Sequence, residues 1–410
     1  MDNILNLVYD EWDEINNEPI PNGLKNYDGY VVGHLVRSDV SLSCFNFLKV
    51  KNYRLSDVEK YPDKKFYYHI WNRILFSNNF FDNAILPINL DVIEFIKNNK
   101  NLDLIFANES ETERVTGLQS LNNILKSLEI DRKKVWFIHN GVISKENELK
   151  LKDSINFYST KHIIMTMKHW PWNIKYKPIK DKNNFFLCLN RSNRIHRYCI
   201  LSLLKQSKIL EDTNWSLIQG YNFDKNNLRL FSDIFKVEDV FYLLDEIIYF
   251  YQIDTRKSNY ETNESGLDNR TEQIIPLIED TFENSYVNIV TETFFLEDEI
   301  HISEKSFKPF AFYQFPLILA SYQHLKYFKK TYPDLDLFDD IIDHSYDDEP
   351  DPRNRLFKFM SEIKRIYENK EFFIEFYKNN EHRFIANYNF IKNYENKDDT
   401  IFFKKLINNE

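Results

Sequence analysis

Residues 288–321 constrain the fold of this chain more than any other stretch. A short apolar run from Asn288 to Thr291 ends in a carboxylate, Glu292, and an acidic loop follows. Ser303 then opens a helical segment carrying Glu304, Lys305 and Lys308, and residues 316–321 form a second apolar run. The three pieces make a strand–helix–strand unit, the building block of parallel sheets. A helix start carries unpaired backbone N–H groups and the positive end of a dipole. With two lysines beside it, this one suits a phosphate.

The same alternation runs along the chain. Residues 29–33, 102–107 and 135–139 are strand-like, and apolar residues recur at helical spacing over 90–97 and 117–128. A proline- and lysine-rich break occupies 171–184. Beyond it the pattern predicts a strand over 185–189, a helix over 194–204, a strand over 215–219 and a helix near 237–250. Residues 253–280 show no regular pattern. From Pro352 onward Leu356, Met360, Ile363 and Ile366 fall at helical intervals, and the charged stretch to Glu410 continues as helix. The fold class is therefore α/β, with parallel sheets covered on both faces. At 410 residues two domains are expected, 1–175 and 176–370, with a helical extension over 371–410.

Glycine narrows the means of phosphate binding. Only 7 are present, and neither G-x-G-x-x-G nor a P-loop occurs, so the task falls to side chains and helix ends. The net charge of −10 argues against a general coat for duplex DNA. Cys44, Cys188 and Cys199 show neither metal-site spacing nor a disulfide framework, which fits a reducing compartment. No stretch approaches the roughly 18–20 apolar residues of a membrane span. A cytoplasmic protein is expected, in a bacterium or a virus-infected host cell. The excess of Asn, Lys, Ile, Phe and Tyr fits an AT-rich coding genome such as that of a phage or large virus.

Two clusters carry candidate chemistry. At 185–197 a strand leads through a polar turn into a helix, gathering Arg191, Arg194, His196 and Arg197 at a strand end, where open α/β sheets bind ligands. The guanidinium fork suits phosphate, and arginines at a helix start oppose its dipole unless an anion or carboxylate answers them. Glu292 and the Ser303–Lys308 helix start are expected at the same rim. Taken alone, Glu304 could simply complement the dipole, and Lys305 and Lys308 could be surface charge. Farther on, Asp343, His344, Tyr346 and Asp347 share a loop whose spacing matches no standard metal site, so no metal is expected. His196, Tyr346 and Asp347 are candidates for a pocket wall.

Ile289-Val-Thr-Glu-Thr, Ile302-Ser-Glu-Lys and Phe315-Pro-Leu-Ile-Leu, with Phe185-Phe-Leu-Cys-Leu-Asn and Arg197 before them, carry a family likeness. Over residues 185–200 and 287–347 the chain resembles α-1,3/1,4-fucosyltransferases and their relatives encoded by phages and large DNA viruses. The resemblance implies a GT-B architecture, two Rossmann-like domains facing a cleft, with the donor on the second. It implies an inverting, metal-independent glycosyltransferase using a nucleotide-diphosphate sugar as co-substrate and no other cofactor. Arg197 and Lys305 would neutralise the diphosphate, Glu304 would hold the ribose or the sugar ring, and Glu292 would contact the donor. Arg191, Arg194 and Lys308 add charge at that rim. Ser303 stands where the family has Thr, and the Glu292–Glu304 connection is longer and more acidic, which leaves base and sugar open.

Such a transfer needs a base at the acceptor hydroxyl. Glu109 and Glu111, just past the 102–107 strand, are the candidates, with Asp39 and His139 behind them. Residues 168–172, with two tryptophans, could line the cleft or form an ordinary hinge. The expected partners are the nucleotide sugar and a glycan or similar hydroxylated acceptor. Nucleic acid enters only as a modified viral base serving as acceptor. A non-catalytic interaction protein keeping the fold is the alternative from another class.

Overall fold

The computed structural model describes residues 4–9, 11–13, 18–20, 49–71, 88, 90–108, 115–140, 155–160, 181–190, 194–217, 231, 234–252, 282–297, 299–395 and 397–408. They form an α/β chain that divides into two compact units, Met1–Thr166 with Glu395–Glu410, and Met167–Tyr394. The strand-like run at 29–33 lies outside the described residues.

In the first unit β1 (Ile4–Tyr9) precedes a separate antiparallel ribbon of β2 (Glu11–Asp13) and β3 (Glu18–Ile20). Strands β4 (Lys49–Arg54), β5 (Phe66–Trp71), β6 (Leu102–Asn108), β7 (Val135–Asn140) and β8 (Asn156–Thr160) follow. With β1 they form a six-stranded sheet in the order β4-β1-β5-β6-β7-β8, and every neighbouring pair is parallel. The direction of winding reverses between β1 and β5. Successive side chains of a strand point to opposite faces, and this sheet fills both. One face buries Val8, Tyr68, Phe106 and Phe137 with Ile93 and Ile96 of α1 (Leu90–Asn98) and Leu121 and Leu125 of α2 (Val115–Ser127).

The other face is covered by the last helix of the chain, Lys397–Asn408. Its Phe403 and Leu406 pack with Leu5, Leu7, Tyr9, Tyr67, Ile105 and Ile138. The Tyr158 ring lies flat on Phe402 with centroids 3.6 Å apart, and its hydroxyl donates to Asp399 Oδ1 at 2.6 Å. Tyr67 donates its hydroxyl to the Leu406 carbonyl.

The second unit holds β9 (Asn184–Asn190), β10 (Thr213–Leu217), β11 (Ser285–Thr291) and β12 (Phe315–Leu319), all parallel, in the order β10-β9-β11-β12. Here the winding reverses between β9 and β11. Among the described residues its helices are α3 (Ile195–Gln206), α4 (Val237–Tyr242), α5 (Leu244–Gln252), α6 (Glu304–Ala311), α7 (His324–Thr331), α8 (Pro352–Glu368), α9 (Lys370–Asn379) and α10 (Glu381–Asn393). The start of α8 follows capping chemistry: Asp351 accepts from the Asn354 N–H at 2.8 Å and Pro352 fills the first turn. Its Leu356, Met360, Ile363 and Ile366 are all buried.

Helix α6 is fixed at both ends. Ser303 caps its start, and Pro309 sits inside it two residues before it stops. Lys182 Nζ donates to the carbonyls of Phe312 and Tyr313 at 3.4 and 3.2 Å at the end of the helix, and burial brings its ammonium down to about 7. Tyr313 adopts φ 55° there. Just beyond it, Gln314 accepts from Asn288 Nδ2 at 2.8 Å and donates to the Phe282 and Ser285 carbonyls at 2.8 and 3.1 Å. This explains how a fully buried strand tolerates Asn288.

Truncating Phe403 removes a fully buried ring from the covered face of the first sheet. Phe403→Ala is expected to cost the first unit about 3–5 kcal/mol. Urea unfolding followed by residue-resolved hydrogen exchange checks this: protection of β1 and β5 falls, while that of β9 and β11 stays.

Candidate functional site

The reversal between β9 and β11 makes the carboxyl ends of these strands a topological switch point, the place where open α/β sheets bind ligands in a crevice. Asn190 ends β9 and Thr291 ends β11, and the two side chains hydrogen-bond to one another across the gap. Helix α3 leaves β9 with Arg194 at its N-cap, so His196 and Arg197 fall in its first turn. Both reach across to the β11 side. His196 Nε2–H donates to the Glu292 carbonyl at 2.9 Å, and Arg197 donates to the Thr291 carbonyl at 3.1 Å.

Both residues are buried beneath this strand end. Arg197 is 2% exposed and His196 is 3% exposed. Burial and Arg194 pull the Arg197 guanidinium down to about 10, against the attraction of Glu292 and Glu304, so it stays cationic at neutral pH. Burial, reinforced by the charge of Arg197, drives His196 well below its usual range, and it is neutral. Its ring stacks on Phe295 at 5.1 Å, and the Arg355 guanidinium lies 4.7 Å from the same phenyl ring. Arg355 donates to the carbonyls of Phe295 at 2.6 Å and Glu349 at 2.8 Å, which pins the β11–α6 loop to α8.

On the opposite side stands the start of α6. The helix offers less open N–H than its sequence suggests, because Glu292 already answers it. The Glu292 carboxylate, 0% exposed, accepts from the Ser303 N–H at 3.2 Å, the Thr293 N–H at 3.0 Å, the Ser303 hydroxyl at 2.7 Å and the Ser306 hydroxyl at 2.6 Å. The Lys305 N–H goes to Ser303 Oγ at 3.2 Å. What α6 presents outward is a pair of side chains: Glu304 and Lys305, 26% and 29% exposed, paired at 3.1 Å. Burial pushes the Glu304 carboxyl up, but Lys305 and Lys308 outweigh it and hold it low.

The sequence candidates therefore separate into groups. Arg194, Arg197, Glu292, Glu304 and Lys305 act on one another electrostatically at one rim, with His196 beside them. Lys308 joins them through its charge on Glu304, with its ammonium 5.6 Å from the Phe282 ring. Tyr346 and Asp347 are buried behind α7. Asp347 accepts from the Lys326 N–H at 3.1 Å and so caps that helix, while burial raises its carboxyl to about 6. The Tyr346 hydroxyl pairs with His344 Nδ1 at 3.0 Å. Arg191, Glu109, Glu111, Asp39 and residues 168–172 lie outside the described residues, as does the His139 side chain.

Sequence reasoning passed over Asn190, Thr291, Ser306 and His324. The spacing of Ser303 and Ser306 held the signal, since residues three apart share one helix face. A cleft of about 330 Å³ also opens in this unit, but Asn184, Thr213 and Tyr286 line it, at the amino ends of the strands and away from the crevice. Among the described residues no helix is long and apolar enough to cross a membrane. No family model, curated protein or solved structure matches this chain.

The Glu292 carboxyl supplies a pH prediction. Burial alone would raise it, yet Lys305, His301, His324 and the Ser306 hydroxyl bring it from 4.5 down to about 2. Burial holds His324 itself near 4, so Lys305 and the hydroxyl donors dominate at neutral pH. The unfolded chain takes up this proton before the folded one does. The stabilisation is complete above about pH 4.5 and disappears as pH falls through 2, a swing on the order of 3 kcal/mol. Chemical unfolding at pH 7 and pH 3 should show the wild type's advantage over Glu292→Gln narrowing at the lower pH.

Proposed function

We propose that the protein is a glycosyltransferase of GT-B type, moving a sugar from a nucleotide-diphosphate donor to an acceptor hydroxyl with inversion and without metal. One observation carries this reading: at the reversal point of the second unit's sheet, Arg197 of α3 feels the charges of its neighbour Arg194 and of Glu304, which opens α6 and pairs with Lys305. Cations gathered at such a point suit a diphosphate, whose charge grows as the sugar leaves. The Glu304 carboxylate beside them suits ribose or sugar hydroxyls, and its exposed pairing with Lys305 is weak enough for a ligand to displace.

The reaction is a single displacement. The acceptor oxygen forms a bond to the anomeric carbon as the bond to the diphosphate oxygen breaks and its electron pair leaves with the nucleotide. The acceptor proton passes to a first-unit carboxylate, Glu109 or Glu111. Arg197 and Lys305 stabilise the leaving charge, with Arg191, three positions before Arg194 in the sequence, as a further candidate cation.

Calorimetry against a panel of nucleotide diphosphates and nucleotide sugars tests the donor. One nucleotide sugar is expected to bind at micromolar affinity, and Lys305→Ala to weaken it about tenfold or more. Absence of binding across the panel, or affinity indifferent to Lys305→Ala, overturns the reading. Replacing Glu109 and Glu111 with Gln should lower turnover about 10²–10⁴-fold and leave donor affinity in place. Unchanged turnover in both variants removes them from the role of base.

A further inference from the structure

Glu292 lies at the heart of this site, yet its side chain is fully buried and its oxygens are engaged by protein donors. A carboxylate only accepts hydrogen bonds, so the hydroxyl hydrogens of Ser303 and Ser306 must turn toward it. The remaining lone pairs of each serine are then aimed elsewhere. Ser303 Oγ accepts from the Lys305 N–H at 3.2 Å and from the Lys305 ammonium at 3.3 Å. Ser306 Oγ, its own hydrogen spent on Glu292 at 2.6 Å, must accept from His324 Nε2 at 3.2 Å. That fixes the proton of the buried His324 ring on Nε2, with no partner at Nδ1 among the described residues. One acidic group thus orders the hydrogens along a chain of three side chains.

We propose that Glu292 is a positioning residue for the anion site: through the Ser303 hydroxyl it fixes the first turn of α6 and holds the Lys305 ammonium at the crevice. This rests on the reading of the crevice as a diphosphate site and gives Glu292 a task other than touching the donor. The sign of its effect is diagnostic. A carboxylate near an anion repels it, so removing the charge should tighten anion binding on electrostatic grounds alone. If the carboxylate instead organises the helix start, removing it loosens Lys305 and weakens binding. A carboxamide in its place can donate as well as accept, so it no longer dictates where the serine hydrogens point.

The test is calorimetric titration of the full-length protein with inorganic diphosphate. Wild type is expected to bind, and Glu292→Gln and Ser303→Ala each to bind about five- to tenfold more weakly, the scale of a lost helix cap. The double variant should be no weaker than either single one, because both act through the same hydroxyl. Ser303→Thr, which keeps the hydroxyl, should restore wild-type affinity. Nitrogen NMR of His324 gives an independent reading: the Nε2–H tautomer persists in Ser303→Ala and is released in Glu292→Gln. Diphosphate affinity that is equal or greater in Glu292→Gln overturns the proposal. So does a variant that keeps diphosphate and loses only the nucleotide sugar, which marks a direct contact. Affinity that survives Lys305→Ala, or no diphosphate binding by wild type, refutes the donor-site reading and the positioning role with it.

Discussion

The geometry of the second unit depends on one buried acid. An ionised carboxylate removed from water is tolerated only when its oxygens are hydrogen-bonded, and Glu292 meets that demand with two backbone N–H groups and two hydroxyls. Its main chain is engaged as well. The Glu292 N–H donates to the Leu319 carbonyl at 2.9 Å, and its carbonyl accepts from His196. Strands β11 and β12 and helices α3 and α6 therefore meet at a single residue. Shifting α6 would strip donors from a charge that has no water to replace them, and the crevice inherits its shape from that restriction.

Around this point, buried and accessible charges divide the work. Arg197 and Arg355 are both buried, and both spend guanidinium hydrogens on backbone carbonyls. The Phe295 ring stacks on His196 and lies against the Arg355 guanidinium. The loop after β11 is long and acidic, but it is held by stacking and by carbonyl contacts to α8. Lys305 and Glu304 are partly exposed and, among the described residues, pair with each other and with Ser303. The buried cation is preorganised and the exposed one adaptable, a division that suits recognition of a charged group entering from solvent.

Much of the second unit was legible in the sequence because its signals are local. The strand near 185–189, the helix after Arg194 and the spacing of Leu356, Met360, Ile363 and Ile366 mark β9, α3 and α8 within a residue or two. The first unit was harder. Strand β1 carries Asn6 amid apolar residues and β5 carries His69 amid aromatic ones, so neither looked like a plain buried run. Both polar groups find partners far off in the chain: Asn6 donates to the Lys65 carbonyl at 3.0 Å, and His69 Nδ1 pairs with the Tyr9 hydroxyl at 3.2 Å. The role of Glu292 was hidden for the same reason. A carboxylate at a strand end looks like a ligand contact until the serines eleven and fourteen positions later fold onto it. Nor does any periodicity in the C-terminal residues say which sheet their last helix will cover.

That last helix has a bearing on how the chain comes to be folded. A polypeptide emerges from the ribosome in order, and the second unit, 167–394, has all of its residues once Tyr394 is out. The first unit began earlier yet lacks Phe403 and Leu406, leaving Leu5, Leu7, Ile105 and Ile138 uncovered on one face of its sheet. The sheet is thus made well before the helix that covers it. During synthesis the nascent sheet carries an apolar face that a chaperone could shield. A ribosome that stops, or a protease that cuts, a few residues short of Phe403 would spoil a sheet whose strands were made long before.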